Sequence, residues 1–369
     1  MNETFVKHLK TSMNTINVVV ISFQFLWTYH ILLSSQLNLL MTLLNKSSNL
    51  ELELGLSLYS PEQSNNIANF KYANSVNMIR MSNRYSDEEV KKHNLVLDLS
   101  NFINIRKVYD WSSDRKLKFP YTIGNQLTDL YVKCKYFELI SCSLNNLKHL
   151  NLKFENNYKF SVKNLPRNIE SLDIDGEIDS EITLLKINSK DDWPQNLKVL
   201  RLIRVIYSNI NSEVDYKLPP RLKKVSLIGK STLTFFRFLQ DKVNHLFVNM
   251  QGDSECYCEN ILKTPISLRD LEIKSWNVVP GIIPIVFECK LERFCLSRSN
   301  FPLHEFDLQM LKHSLKDITL QWYKSSLSSL DFTMFTSLTY ITLHQCKFDN
   351  WDSYHDTFVV NLKLFDLEE

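Results

Sequence analysis

A short apolar pattern, L-x-x-L-x-L with Ile, Val or Phe as substitutes, recurs along this chain at nearly regular intervals. Its first positions are Leu127, Leu147, Ile169, Leu197, Leu222, Val243, Leu268, Leu291, Leu315, Leu338 and Leu362. Side chains alternate between the two faces of a strand, so positions four and six of each unit point the same way. Position one enters from the preceding turn and fills the same space. A single unit cannot bury three such side chains alone, so neighbouring units must stack and share one core. The pattern predicts one strand per unit in a parallel sheet. The stretch "NLVLDLSNF" at 94–102 reads as one more strand ahead of the series.

Prolines mark where each strand begins. Pro166, Pro194, Pro219 and Pro265 each stand three residues before the first core position of a unit. Inside the ladder a proline would delete a hydrogen bond; just outside it, the ring fixes φ and ends the preceding segment. The residue before it is biased toward extended backbone. The expected motif is a corner followed by a strand.

Composition removes several function classes. The chain carries 43 basic and 41 acidic residues, a formal net charge of +2, which gives no electrostatic reason to expect nucleic acid as a partner. There are 6 glycines, and even the two closest, Gly229 and Gly252, are a whole repeat apart. Phosphate-cradling loops need clustered glycines, so neither a P-loop nor a dinucleotide fingerprint exists here. The 7 cysteines are odd in number and scattered, which points to free thiols in a reducing compartment, cytoplasmic or nuclear. Cys256 and Cys258 have no second pair to complete a zinc site. "DIDGEID" at 173–179 places its glycine at the wrong offset for a calcium loop. No H-E-x-x-H or G-x-S-x-G motif occurs. The expectation is a chain that is not an enzyme and takes no cofactor or metal.

The units "LPRNIESLDI", "LPPRLKKVSL" and "WPQNLKVLRL" resemble the LP-x-x-L-x-x-L-x-L units of divergent leucine-rich-repeat proteins, among them fungal F-box-associated arrays and FNIP-type repeats. The resemblance implies an α/β repeat: a curved leucine-rich-repeat solenoid with its parallel β-sheet on the concave face. It covers residues 94–369, about eleven to twelve repeats. It also implies a protein-interaction scaffold, in the F-box version the substrate-recognition subunit of a cullin-type ubiquitin ligase. Two features depart from the pattern. Position nine, where the familiar variant has Asn or Cys, reads Lys135, Glu155, Glu177, Val205, Lys230, Gln251, Trp276, Ser299, Tyr323 and Cys346, of which only Cys346 conforms. The turn after the strand therefore needs some other stabilisation. The usual L-P-x-E-like opening of an F-box is not visible in residues 1–60.

Residues 1–93 form a separate N-terminal region. Positions 11–45 contain no Asp, Glu, Lys or Arg, and the hydrophobic segment 16–44 has two main readings, a cleavable signal being a weaker third because no Ala-x-Ala-like site follows. One is a helical cap over the open end of the array. The other is a membrane anchor for a receptor or adhesion protein, although Asn17, Gln24, His30, Gln36 and Asn38 interrupt the apolar run that a span requires.

The residue between core positions four and six should face the open side of the sheet. These are Tyr131, Asn151, Asp173, Arg201, Ser226, Phe247, Glu272, Cys295, Thr319, Thr342 and Asp366. Eleven rungs would give a face about 48 Å long, suited to a protein more than to a metabolite. Phe247, flanked by His245, is the leading anchor, because exposed aromatics and arginines carry much of the energy at protein interfaces. Arg201, Glu272, Arg293, Tyr340 and His344 complete the expected partner-binding set of a monomer. Asp173 with Arg201 one rung on reads as a cross-strand ion pair.

Overall fold

The apolar triplets fold as their spacing requires, with positions four and six on a strand and position one in the turn before it. A computed structural model describes residues 19–26, 50–58, 73–83, 96–110, 116–119, 121–133, 144–154, 158–176, 182–184, 192–207, 218–229, 239, 242–249, 262–275, 285–299, 308–322 and 334–344. They belong to two units, Met1–Phe154 and Glu155–Glu369.

The first unit holds β1 (Val19–Leu26), β2 (Leu50–Leu58), β3 (Met78–Asn83) and β4 (Val96–Asp98). It continues with β5 (Lys107–Asp110), β6 (Lys116–Lys118), β7 (Asp129–Lys133) and β8 (His149–Phe154). Its parallel ladder runs β1-β2-β3-β5-β7-β8, while β4 and β6 pair with each other. The fragment 94–102 therefore contributes to the smaller pair; the ladder's rung there is β5.

The second unit opens with β9 (Lys159–Phe160), β10 (Ser171–Gly176), β11 (Ile182–Leu184), β12 (Val199–Ile203) and β13 (Val205–Tyr207). Next come β14 (Lys224–Ile228), β15 (His245–Asn249), β16 (Leu262–Lys263) and β17 (Asp270–Lys274). It closes with β18 (Ile285–Val286), β19 (Arg293–Ser297), β20 (Asp317–Gln321) and β21 (Tyr340–His344). The main ladder is β10-β12-β14-β15-β17-β19-β20-β21, all parallel. Short strands build the return path: β13-β11-β9 form one sheet and β16-β18 another.

Register is uniform. Leu172, Leu200, Val225, Leu246, Leu271, Phe294, Ile318 and Ile341 stand opposite one another on successive rungs. The chain between these rungs is shortest from Val225 to Leu246 and longest from Leu172 to Leu200, yet no pairing slips. A one-residue slip would carry every core side chain to the solvent face, so burial enforces the register. Leu222, Val225 and Leu227 are 1%, 4% and 1% exposed, and the triplets from Leu127 to Leu315 match them. At about 1.5–3 kcal/mol per fully buried side chain, three per repeat give a gross hydrophobic term of about 5–9 kcal/mol for each unit. This is a leucine-rich-repeat-like stack of parallel rungs.

The prolines close the corners. The amides of Ile169, Leu197, Leu222 and Leu268 donate to the carbonyls of Pro166, Pro194, Pro219 and Pro265 at 3.0–3.5 Å. Each P-x-x-L is thus a hydrogen-bonded β-turn with a buried proline at its head. Leu144–Leu147 and Phe335–Leu338 make the same turn without proline. The corner needs a buried apolar residue at that place, and proline is one way to supply it.

On five rungs from β12 onward the turn after the strand is held by left-handed backbone at position eight. Arg204, Ser275, Arg298 and Trp322 have φ of 54°, 54°, 50° and 47°, and Gly229 has 108°. Each amide donates to the last strand carbonyl of the next rung: Arg204 to Ile228, Gly229 to Asn249, Ser275 to Ser297, Arg298 to Gln321 and Trp322 to His344, at 2.7–2.8 Å. The ladder is extended by one hydrogen bond while the chain turns away. Position nine is buried where described, as Val205 and Ser299. A backbone device takes the place of the asparagine ladder.

Two expectations are corrected. No helical cap is found among the described residues: Val19–Leu26, inside segment 16–44, is β1 and pairs in parallel with β2, from Val19 opposite Leu50 to Leu26 opposite Ser57. Nor is there an α-helical layer among the described residues, where return segments are strands and 3-10 turns such as Val162–Asn164. The physical reason is local. Alanine, the strongest helix former, occurs only as Ala68 and Ala73, and a proline corner follows Lys159–Phe160 within a few residues. No helix among the described residues is long and apolar enough to cross a membrane. Residues 27–44, Cys256, Cys258, Asp366 and the unit at Leu362 lie outside the described residues.

Gly229 and Ser275 test the left-handed turn. A Cβ on Gly229 would meet the Arg204 backbone at 3.3 Å as well as face an unfavourable φ. Gly229→Ala is expected to lower stability by roughly 1–2 kcal/mol or more. Ser275→Gly is expected to raise it by up to about 1 kcal/mol, with chemical denaturation as the measurement.

Candidate functional site

Three rows of side chains face away from the core on the ladder of the second unit. Position three contributes Val199, Lys224, His245, Asp270, Arg293, Asp317 and Tyr340. Position five contributes Asp173, Arg201, Ser226, Phe247, Glu272, Cys295, Thr319 and Thr342. Position seven ends in Lys274, Ser297, Gln321 and His344. Because register never slips, each row is a straight file of side chains one strand apart.

The first two rows enclose a groove of about 530 Å³. Arg201, His245, Phe247, Glu272 and Arg293 all line it, so five of the seven residues expected from sequence are brought to one place. Tyr340 and His344 lie outside the groove lining. Tyr340 is 49% exposed at the start of β21. His344 packs edge-on against Trp322, ring centroids 5.5 Å apart.

Asp270 organises the first row. Arg293 on the next strand donates to it twice, Nε to Oδ1 at 2.5 Å and a terminal nitrogen to Oδ2 at 2.7 Å. His245 on the previous strand pairs with the same carboxylate. Burial works to raise Asp270, but its hydrogen bonds and charge pairing with Arg293 and His245 outweigh that, and its carboxyl is held below the usual range. In the second row Arg201 stands 3.8 Å from Asp173, the expected cross-strand pair. Such a partly exposed contact contributes little to stability.

Phe247 is half-buried between Ser226 and Glu272. Glu272 behaves unlike Asp270. Its side chain reaches solvent, yet burial between Phe247 and Cys295 pushes its carboxyl up, and Lys274 only partly offsets this. Cys295 follows in the row. Burial, then the Glu272 and Asp317 carboxylates, push its thiol up to about 12. A thiol held protonated is a poor nucleophile. Among the described residues no three His, Cys, Asp or Glu side chains gather closely enough to hold a metal ion.

Neither a family model nor a curated protein matches this sequence. Among solved structures the chain is similar to a leucine-rich-repeat protein of Leptospira interrogans, at 15% identity and a TM-score of 0.41, over 98% of this chain and 98% of the other.

Sequence reasoning missed Lys224, Asp270 and Asp317. The signal was available: position three lies two residues before position five, and so on the same face. It also missed the stack of Arg298 over Trp322, 4.4 Å from guanidinium carbon to ring centre. That stack sits on position-eight residues whose left-handed turn carries no sequence mark.

Two measurements follow. Glu272 holds its proton more tightly folded than unfolded, so its contribution is full at low pH and is lost as pH rises through its folded value. Glu272→Gln is expected to raise the melting temperature at pH 7, with the advantage vanishing below the ordinary glutamate range. Cys295 should alkylate at pH 8 at least about a hundredfold more slowly than a free thiol, read by mass spectrometry of its peptide.

Proposed function

We propose that this chain is a non-catalytic protein-interaction scaffold whose partner lies across the outward rows of the second unit. The observation that supports this best is the groove itself. One cavity gathers an aromatic anchor, Phe247, with Arg201, His245, Glu272 and Arg293, on a rigid ladder spanning strands β10 to β20. Asp270 is engaged with Arg293 and His245, Arg201 stands against Asp173, and Glu272 is raised by burial, an arrangement that suits recognition. Rigid sheet positions cost little ordering entropy on binding, which favours a partner read by shape and charge.

The resemblance adds a finer version: substrate recognition for a cullin-type ubiquitin ligase in the cytoplasm or nucleus, with residues 1–95 contacting the adaptor. Pull-down of the adaptor with the folded full chain decides it, and failure to recover the adaptor removes that version alone.

Affinity purification with mass spectrometry tests the scaffold reading. A specific partner should be retained by wild type and by Lys312→Ala, which lies off the groove. Phe247→Ala should reduce its recovery by about tenfold or more, and Arg201→Ala by a smaller factor. A partner retained equally by all four proteins would remove the groove from the interface.

A further inference from the structure

We infer that the groove of the second unit takes an extended peptide segment with an acidic residue at one end, an apolar residue at its centre and a basic residue at the other. This rests on the reading above that the face binds protein, and it names the chemistry of what is bound.

The groove is electrically divided at Phe247. On the side of β12 and β14, Arg201 and Lys224 face Asp173. Lys224 is exposed and has no ion-pair partner among the described residues. On the side of β17, β19 and β20, three carboxylates, Asp270, Glu272 and Asp317, face one guanidinium, Arg293. That guanidinium is already engaged with Asp270 through two hydrogen bonds of 2.5 and 2.7 Å. His245 shares Asp270 with that guanidinium. Among the described residues, Asp317 accepts from the Thr319 hydroxyl at 3.3 Å and is drawn only electrostatically to Arg293. Glu272 has no salt-bridge partner among the described residues, with Lys274 offsetting its burial in part, so the carboxylates of this half still outnumber its cations. Burial holds Glu272 above its ordinary range, a cost that an arriving cation would relieve. The half with spare positive charge and the half with spare negative charge meet at the aromatic ring.

Geometry fixes the spacing of the occupant. Neighbouring strands lie about 4.8 Å apart and an extended chain advances about 3.3 Å per residue. Lys224 on β14 and Glu272 on β17 are two rungs apart, about 10 Å, and Asp317 on β20 is two rungs further. A segment crossing the ladder therefore places its acidic and basic residues about three to six positions apart, with an apolar side chain between them against Phe247. A uniformly charged segment meets like charge in one half, which costs more than the other half returns.

The test uses the full chain and three fluorescein-labelled peptides of nine residues, with the same central leucine. One is acidic at one flank and basic at the other; the second is acidic at both, the third basic at both. Fluorescence anisotropy at low salt should show the mixed peptide binding at least about fivefold tighter than either uniform one. Glu272→Lys should move the preference to the all-acidic peptide and Glu272→Gln should flatten it, each variant first shown to melt cooperatively. Equal binding of all three, preference of wild type for a uniform peptide, or binding of none overturns the inference. If no peptide binds while wild type still holds a partner that Phe247→Ala loses, the scaffold reading stands without it. If Phe247→Ala also keeps that partner, both fall.

Discussion

Shared burial between neighbouring repeats is the constraint from which the remaining structure follows. No unit can hide its three apolar side chains alone, so each strand must lie against the next with core facing core. That requirement makes the strands parallel, sets the one-to-one pairing of Leu200 with Val225 and of Leu246 with Leu271, and aligns everything on the opposite face into files. The backbone reinforces it at one point on each described rung from β10 to β21. The carbonyl at position two accepts amides from positions two and three of the following repeat: Glu170 serves Lys198 and Val199, Lys198 serves Lys223 and Lys224, and Glu292 serves Lys316 and Asp317. Side chains follow the same route on the rim, where Lys198 reaches Glu170 at 2.7 Å and Lys316 reaches Glu292 at 2.8 Å.

Whatever burial dictates is legible in the sequence. Triplet spacing places every main strand from β7 onward among the described residues, and the prolines locate four corners. The rungs before β7 are harder to read. β5 carries Val108 but puts the buried Asp110 where the pattern wants an aliphatic residue, while β4 copies the pattern at 94–102 and joins the minor sheet. Segment 16–44 shows neither a clean helical nor a clean alternating period, so nothing in it marks Val19–Leu26 as strand rather than helix. Position eight is invisible for a different reason. Arg, Ser and Trp have no preference for left-handed backbone; the ladder imposes it, and only Gly229 advertises the turn.

The candidate site is half legible by the same logic. Alternation says which residues face outward, so Arg201, Phe247 and Glu272 can be named without coordinates. It does not say which of them are crowded, paired or spare. Asp270 and Glu272 are two residues apart with the same charge, yet Arg293 and His245 draw one carboxyl down while burial pushes the other up. That difference depends on neighbours a full repeat away in sequence, which spacing brings close but whose side-chain choices only packing resolves.

The independence of strand register from repeat length has a consequence for how such a chain can change. A short connection joins Val225 to Leu246 and a long one joins Leu172 to Leu200, and both pairs of rungs stay aligned residue for residue along the front. Insertions and deletions in the back wall are therefore silent on the front, provided the corner and the left-handed exit survive. Substitutions at three positions per rung can rewrite the charge pattern in turn without disturbing the aliphatic layer behind it. Architecture and message are written in separate parts of each repeat, and each is free to drift at its own pace.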